Sequence, residues 1–292
     1  MKLNVRLIRF TCAAVMGWWV ACTPALGLDL TKPTDAQQAM VRVFGDIDGK
    51  PVFKDWDVTI FAVLPGQKPR PILRMQGFNA GRVVAKADGS YEMITREVSY
   101  YQDLQTGEII ESWSNPMNGK QVCVMHVAND PVNNKFPAPQ KGPAPTFTVA
   151  GDISSLRLDI PLAYPNALPP AEYPEESTGA TYLASEHFIY FANTADLTSD
   201  TLRSTPTHYS WFRTGPWLPW MKMGTAPGYL IYSGQGRKYA TFEELPERVK
   251  AYTREHYPSY VTAPDSYVQP NETSWTHYAK LKKAGKLPTD CK

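Results

Sequence analysis

His126, Asn129, Asp130 and Asn133 fall within eight residues, where the apolar run Val122-Cys-Val-Met-His-Val-Ala128 gives way to a polar stop before Pro131. An imidazole four positions from a carboxylate suits proton transfer. On a regular strand the two side chains point to one face, with His126 as general base and Asp130 orienting its ring. The same residues also suit an Asx turn, in which Asn129 and Asp130 bond their own backbone ahead of the proline. Upstream, Trp113 and Asn115 lead into Asn118-Gly119, so the block from Trp113 to Asn133 reads as a strand, a tight turn and a second strand. Its polar groups, Asn115, Asn129 and Asn133, are expected at the mouth of a pocket.

A second block, Trp211-Phe-Arg-Thr-Gly-Pro-Trp-Leu-Pro-Trp-Met-Lys-Met-Gly224, holds three tryptophans, two methionines and two prolines in fourteen residues. Tryptophan gives a large rigid contact surface and one N–H donor, and methionine adapts to irregular shapes. Arg213 could hold a carboxylate bidentately. These residues predict a cavity for a small apolar or aromatic molecule, lined by Trp113, Trp211, Trp217 and Trp220. The alternative is a proline-kinked plug whose tryptophans are core. Glu176, beside Glu175, either supplies a carboxylate to the mouth or belongs to a solvated acidic pair. His187, on an apolar run, reads as a core histidine.

The elements that must position these residues are β-strands. From Gln37 to Asp130 the chain reads as extended segments punctuated by Asp48-Gly49, Asp88-Gly89, Thr106-Gly107 and Asn118-Gly119, pairs suited to two-residue hairpins. The runs are Asp57–Leu64, Ile72–Phe78, Tyr91–Tyr101, Glu108–Trp113 and Gln121–Ala128. Val122–Ala128 and His187–Asn193 carry apolar side chains on both parities, which predicts central strands covered on both faces. Proline-rich loops are expected over 134–146 and 164–176. One helix is expected from an N-cap at Thr241, through Phe242, Leu245, Val249 and Tyr252, to a stop at Pro258. A short basic helix over 275–286 is a further possibility. The fold class is mainly β, an antiparallel meander closing into a barrel or strongly coiled sheet, in a single domain over 28–292.

Lys2, Arg6 and Arg9, the apolar run 10–22 and Ala25-Leu26-Gly27 have the form of a secretory signal peptide over 1–27. Its removal takes the formal charge from +2 to one net negative, since three bases and no acids are lost. A near-neutral chain has no electrostatic footprint for nucleic acid. The expectation is a secreted, periplasmic protein with no membrane span after processing. Cys123 and Cys291 are the cysteines beyond the signal. A mid-strand Cys123 reads more readily as a buried free thiol, with a bridge to Cys291 as the alternative. No Cys-x-x-Cys, His-Glu-x-x-His, phosphate loop, dinucleotide fingerprint or Gly-x-Ser-x-Gly elbow is present, so no cofactor or metal is expected. Oligomeric state is left open.

Four segments carry a family resemblance: Trp113-Ser-Asn-Pro-Met-Asn-Gly119, His126-Val-Ala-Asn-Asp-Pro-Val-Asn133, Tyr173-Pro-Glu-Glu-Ser177 and the block from Ser210 to Gly224. The chain resembles the bacterial family of secreted proteins catalogued as domain of unknown function 1838. The resemblance implies no activity and no catalytic residues. Three readings follow from the residues: a small-molecule binder, a cofactor-free lyase, isomerase or hydrolase using His126 and Asp130, or a protein-interaction module using segment 211–224.

Overall fold

The structure is a computed structural model and describes residues 27–292 except 131, 140, 268–269, 290 and 292, with the backbone alone for Asn129 and Asp130. Residues 1–26, nearly all of the segment expected to be a signal peptide, lie outside the described residues. The strands are β1 (Val52–Val63), β2 (Arg70–Ala85), β3 (Tyr91–Gln102), β4 (Ser112–Ser114), β5 (Gln121–Cys123), β6 (Val127–Asp130), β7 (Asn134–Phe136), β8 (Phe147–Ala150), β9 (Ile153–Pro165), β10 (Thr181–Asn193), β11 (His208–Gly215) and β12 (Tyr229–Tyr239). Ten of them form one antiparallel sheet in the order β6-β3-β2-β1-β12-β11-β10-β9-β8, with β7 also on β3; β4 and β5 make a separate hairpin. The chain is therefore mainly β and antiparallel, as expected. The first long strand pairs with the last, which joins two meanders side by side.

Alternation fixes which face each residue takes. In β1, Trp56, Val58, Ile60 and Ala62 are buried while Asp55, Asp57 and Thr59 are not. The register carries this inner face across Met75 and Leu73 of β2, Tyr101 of β3, Tyr232 of β12, Trp211 and Arg213 of β11, and Phe188 and Glu186 of β10. On the outer face Arg74 reaches diagonally to Asp57, with Nε donating to Oδ1 at 2.8 Å. Such an exposed cross-strand pair contributes about 0.2–1 kcal/mol and mostly fixes register.

Helix α1 (Pro33–Phe44) corrects the expectation of extended chain from Gln37. Pro33 opens it, Asp35 sits in its first turn, and Ala36, Ala39 and Val43 form the buried stripe. It packs one end of the inner face, with Ala39, Val43 and Phe44 against Met93, Leu156, Tyr190 and Tyr209. The opposite end is filled by Trp217, Leu218, Trp220 and Met221 together with Trp275 and Tyr278 of a C-terminal helix, α4 (Ser274–Lys283). A short helix α2 (Thr194–Thr198) follows β10.

The helix expected from Thr241 forms in two pieces. Thr241 and Glu244 make the capping box, but the turn over Phe242–Glu244 is 3-10. Pro246 has no N–H to donate and interrupts the helix, so α3 starts at Glu247 and ends at His256. It covers the outer face, Phe242, Leu245 and Val249 meeting Phe53, Phe78 and Val98. No helix among the described residues is long and apolar enough to cross a membrane.

Two strand expectations are corrected. Gln121–Ala128 is split into β5 and β6, because the His126 ring takes the Tyr101 N–H that would otherwise enter the ladder. Of Glu108–Trp113, only the last two residues join a strand. β10 is covered on one face alone: Leu183 is 63% and Phe191 38% exposed on the other. Cys123 and Cys291 are bridged, with Cα atoms 5.4 Å apart, where the mid-strand reading favoured a thiol. The expectation failed because β5 ends at Cys123 and leaves its side chain at the hairpin's margin.

The middle of the inner face depends on glycines. Gly236 of β12 stands opposite Tyr209, and a Cβ there would lie 2.6 Å from the tyrosine hydroxyl and 1.9 Å from the Asp55 carbonyl. Gly77 likewise leaves room for the Trp56 indole, whose N–H would be 2.8 Å from a Cβ. Gly236→Ala should therefore destabilise by about 1–3 kcal/mol. The check is a lower denaturation midpoint at unchanged slope in urea.

Candidate functional site

The residues singled out by sequence divide into three groups. His126 is 6% exposed and sits among Tyr100, Tyr101 and Tyr252, with ring centroids 5.6–6.1 Å away. Its Nδ1 accepts from the Tyr101 N–H at 3.1 Å, which puts the neutral ring's proton on Nε2. That nitrogen faces Glu111 at 3.6 Å. The imidazole and the Tyr252 hydroxyl hold the Glu111 carboxyl down at about 2, burial opposing them. The acid beside His126 is thus Glu111, and the side chains of Asp130 and Asn129 lie outside the described residues. The space beside His126, lined also by Thr273, Ser274 and His277, amounts to about 10 Å³, no more than one water occupies.

A second group fixes loops. Asn115 is fully buried and spans its turn, Nδ2 donating to the Met221 carbonyl at 2.7 Å and Oδ1 accepting from the Met117 N–H at 2.9 Å. Asn133 accepts from the Thr95 N–H at 3.1 Å and meets Asn271 in the C-terminal segment. Glu176, 3% exposed, accepts from Lys222 and Lys282, and Lys222 also donates to the Tyr278 hydroxyl at 2.9 Å. Trp217 and Trp220 are 1% and 2% exposed. Trp217 donates to the Ala226 carbonyl at 3.0 Å, and Trp220 stands between Tyr101 and Trp113 at 5.1 and 5.7 Å. These two tryptophans belong to the plug and form no exposed patch. His187, expected in core, lies on the outer face against Asp159 at 2.7 Å.

The third group is Trp211 and Arg213. Trp211 is packed against both buried inner-face clusters, the one under α1 and the one under 217–221. Its indole stacks on Phe188 at 5.9 Å and 3°, and meets Trp56 at 6.1 Å and Tyr232 at 6.0 Å. It keeps part of its surface open, as do Phe188, Glu186 and Ile160 on the same face, and Leu158 is 36% exposed. The Trp211 Nε1 is buried and has no hydrogen-bond partner among the described residues. Arg213 closes one side: Nε donates to Glu186 at 3.1 Å, Nη2 to the Tyr182 hydroxyl at 2.5 Å, and the guanidinium lies 4.7 Å from the Tyr232 ring centroid.

Sequence reasoning missed the other side of this patch. Lys54 of β1, Asn79 of β2 and Glu97 of β3 are consecutive partners across the inner face. Asn79 Nδ2 donates to Glu97 Oε1 at 2.9 Å. Neither Lys54 nor Glu97 has an ion-pair partner among the described residues, and neither is fully shut from solvent. Burial raises the Glu97 carboxyl to about 7, with the Glu186 carboxylate adding to the rise and Asn79 and Lys54 opposing it. Burial brings the Lys54 ammonium down to about 8, against the pull of Glu97. A signal for both was present. Each is a charge at an inward position of an alternating strand, Lys54 with Trp56 and Val58, and Glu97 with Met93 and Tyr101.

This is an antiparallel β protein with a half-open aromatic patch on a face that also carries two ionisable groups without an ion-pair partner among the described residues. The chain belongs to the family described as protein of unknown function DUF1838, whose model matches residues 49–282. No curated protein matches the chain.

The sign of the Glu97 shift gives a test. A carboxyl raised in the folded state destabilises it above about pH 7, where both states are ionised, and the penalty is relieved as pH falls towards the unfolded value of 4.5. Glu97→Gln should therefore raise stability at pH 9, by on the order of 1–3 kcal/mol, and change it little at pH 5. Thermal melts of both proteins at the two pH values decide this.

Proposed function

We propose that the protein binds a small molecule with an aromatic or apolar body on the inner face of the sheet, at Trp211. The observation that carries this reading is the half-open state of Trp211, Phe188, Leu158 and Ile160 between two fully buried clusters on the same face. Apolar surface left open in the middle of a core is a standing gain for any ligand that covers it, about 25 cal/mol per Å². Arg213, already held by Glu186 and Tyr182, would serve as a wall of the site and not as a carboxylate anchor.

The reading also takes the sheet to curl around the ligand. β3 and β10 are five strands apart, roughly 24 Å in a flat sheet at the usual spacing. Glu186 of β10 nevertheless acts on Glu97 of β3, and Tyr190 responds to both carboxylates. Met93 of β3 and Leu156 of β9 share the cluster under α1. These couplings favour a coiled sheet with a cleft over an open flat one.

Export is part of the proposal. The Cys123–Cys291 bridge suits an oxidising compartment, in keeping with the basic and apolar N-terminal segment. Protein recovered from the periplasm should begin at Leu28 and titrate no free thiol when unfolded. Intact Cys12 and Cys22, or two free thiols, would contradict it.

Binding is tested by thermal shift and tryptophan fluorescence against a library of aromatic and lipid-like compounds. Trp211→Ala should weaken any hit about tenfold or more, and Phe191→Ala, on the opposite face, should leave it unchanged. Equal affinities in the two variants would remove Trp211 from the site.

A further inference from the structure

The inner face holds an amine that has no hydrogen bond or ion pair among the described residues. Lys54 Nζ lies 5.5 Å from the centre of the Phe44 ring, the last residue of α1. Its cross-strand neighbour on β12 is another lysine, Lys238. Lys238 is fully engaged, donating to the carbonyls of Arg42 and Gly45, where α1 ends. Lys54 has no such acceptor among the described residues. On the other side of the row, Asn79 and Glu97, one and two strands further on, bond to each other. The row thus places an amine with no hydrogen bond among the described residues two strands from a carboxyl group, over the Phe44 ring, on the same face as Trp211.

We propose that Lys54 forms an imine with a carbonyl-bearing ligand held on the Trp211 patch, with Glu97 moving the protons. This rests on the ligand-binding reading of that face and names the chemical class of the ligand, an aromatic or apolar aldehyde or ketone. The neutral amine attacks the carbonyl carbon, so a C–N bond forms and the C=O π pair moves to oxygen. The nitrogen gives up its two protons in turn through the Glu97 carboxylate to the oxygen: the first transfer leaves a carbinolamine hydroxyl, and the second lets that hydroxyl leave as water while the nitrogen lone pair closes the C=N bond. Amine and carbonyl become imine and water, with no oxidant, reductant or further reactant.

The surroundings favour the reactive form of each group. Among the described side chains, the titratable and charged groups on the neighbouring elements are Lys238 on β12, Glu97 on β3, Tyr190 and Glu186 on β10, Tyr209 on β11, and Arg42 and Asp46 at the end of α1. Arg42 is turned to the Ser199 carbonyl. Glu97 alone among them pulls Lys54 towards the charged form, and burial outweighs it. With a midpoint of about 8, roughly one Lys54 in ten is a free amine at pH 7, against about one in a few thousand for an ordinary surface lysine. Desolvation of this kind is a recognised way to make a lysine nucleophilic. A carboxyl near neutrality can both give and take a proton at that pH.

The test uses the whole mature protein, naphthaldehyde as the carbonyl probe, and naphthalenemethanol as its non-reactive counterpart. Cyanoborohydride traps any imine as a stable secondary amine, read by intact mass and peptide mapping at pH 7. Lys54 should carry at least ten times the label of any other lysine, while naphthalenemethanol stabilises wild type and Lys54→Arg alike in thermal melts. Glu97→Gln should still label at Lys54, but about a hundredfold more slowly. An unchanged rate would overturn the role of Glu97. Label spread evenly over surface lysines, with the alcohol still bound, would overturn the imine and leave the binding reading standing. No binding of either probe and no label at Lys54 would overturn both.

Discussion

Burial of charge on an otherwise apolar face is the constraint on which this structure turns. The inner face receives one side chain in two from each long strand, and on most strands the pattern supplies aromatic or aliphatic residues. Lys238 is held there by the carbonyls at the end of α1, and at Lys54, Glu97, Glu186 and Arg213 the pattern supplies four further ions. Two of these, Glu186 and Arg213, solve the problem by pairing and by taking the Tyr182 hydroxyl as a further partner. The other two do not meet, and each drifts towards its neutral form instead. A core that tolerates such groups without pairing them gives up stability, and functional sites are where that trade is ordinarily found.

The rest of the architecture keeps this face from collapsing. α1 closes one end and the segment around Trp217 and Trp220 closes the other, so the plug foreseen from the proline-rich tryptophan block is realised by those two residues. The glycines of β2 and β12 remove Cβ atoms where indole and phenol rings must lie close to backbone. Between the two ends stand Trp56, Trp211 and Phe188. They touch through ring faces and edges, geometry that suits a flat guest as well as it suits one another.

Much of this was legible in the sequence. The glycines at Gly49, Gly89, Gly107 and Gly119 all adopt positive φ; Gly89 and Gly119 turn the antiparallel pairs β2–β3 and β4–β5, whereas Gly49 lies between α1 and β1 and turns no hairpin. Three things were not. α1 hid inside a stretch read for its strands, although Pro33 and the spacing of Ala36, Ala39 and Val43 mark a helix. The break between β5 and β6 comes from a ring nitrogen capturing a backbone N–H twenty-five residues away, which no local pattern reveals. The candidate site was sought at loops and tryptophans because polar residues at strand ends are conspicuous. Lys54 and Glu97 lie mid-strand, and their meaning depends on which parity faces inward and on strands 43 residues apart in sequence meeting through β2.

The inner face holds a carboxyl and an amine that are largely buried and have no ion-pair partner among the described residues. The most direct measurement of this is the titration of the Glu97 side-chain carboxyl by carbon-detected NMR, assigned with Glu97→Gln. A midpoint near 7 is expected in the free protein. A midpoint in the ordinary glutamate range, about 4.3, would show a solvated or ion-paired carboxylate and contradict it.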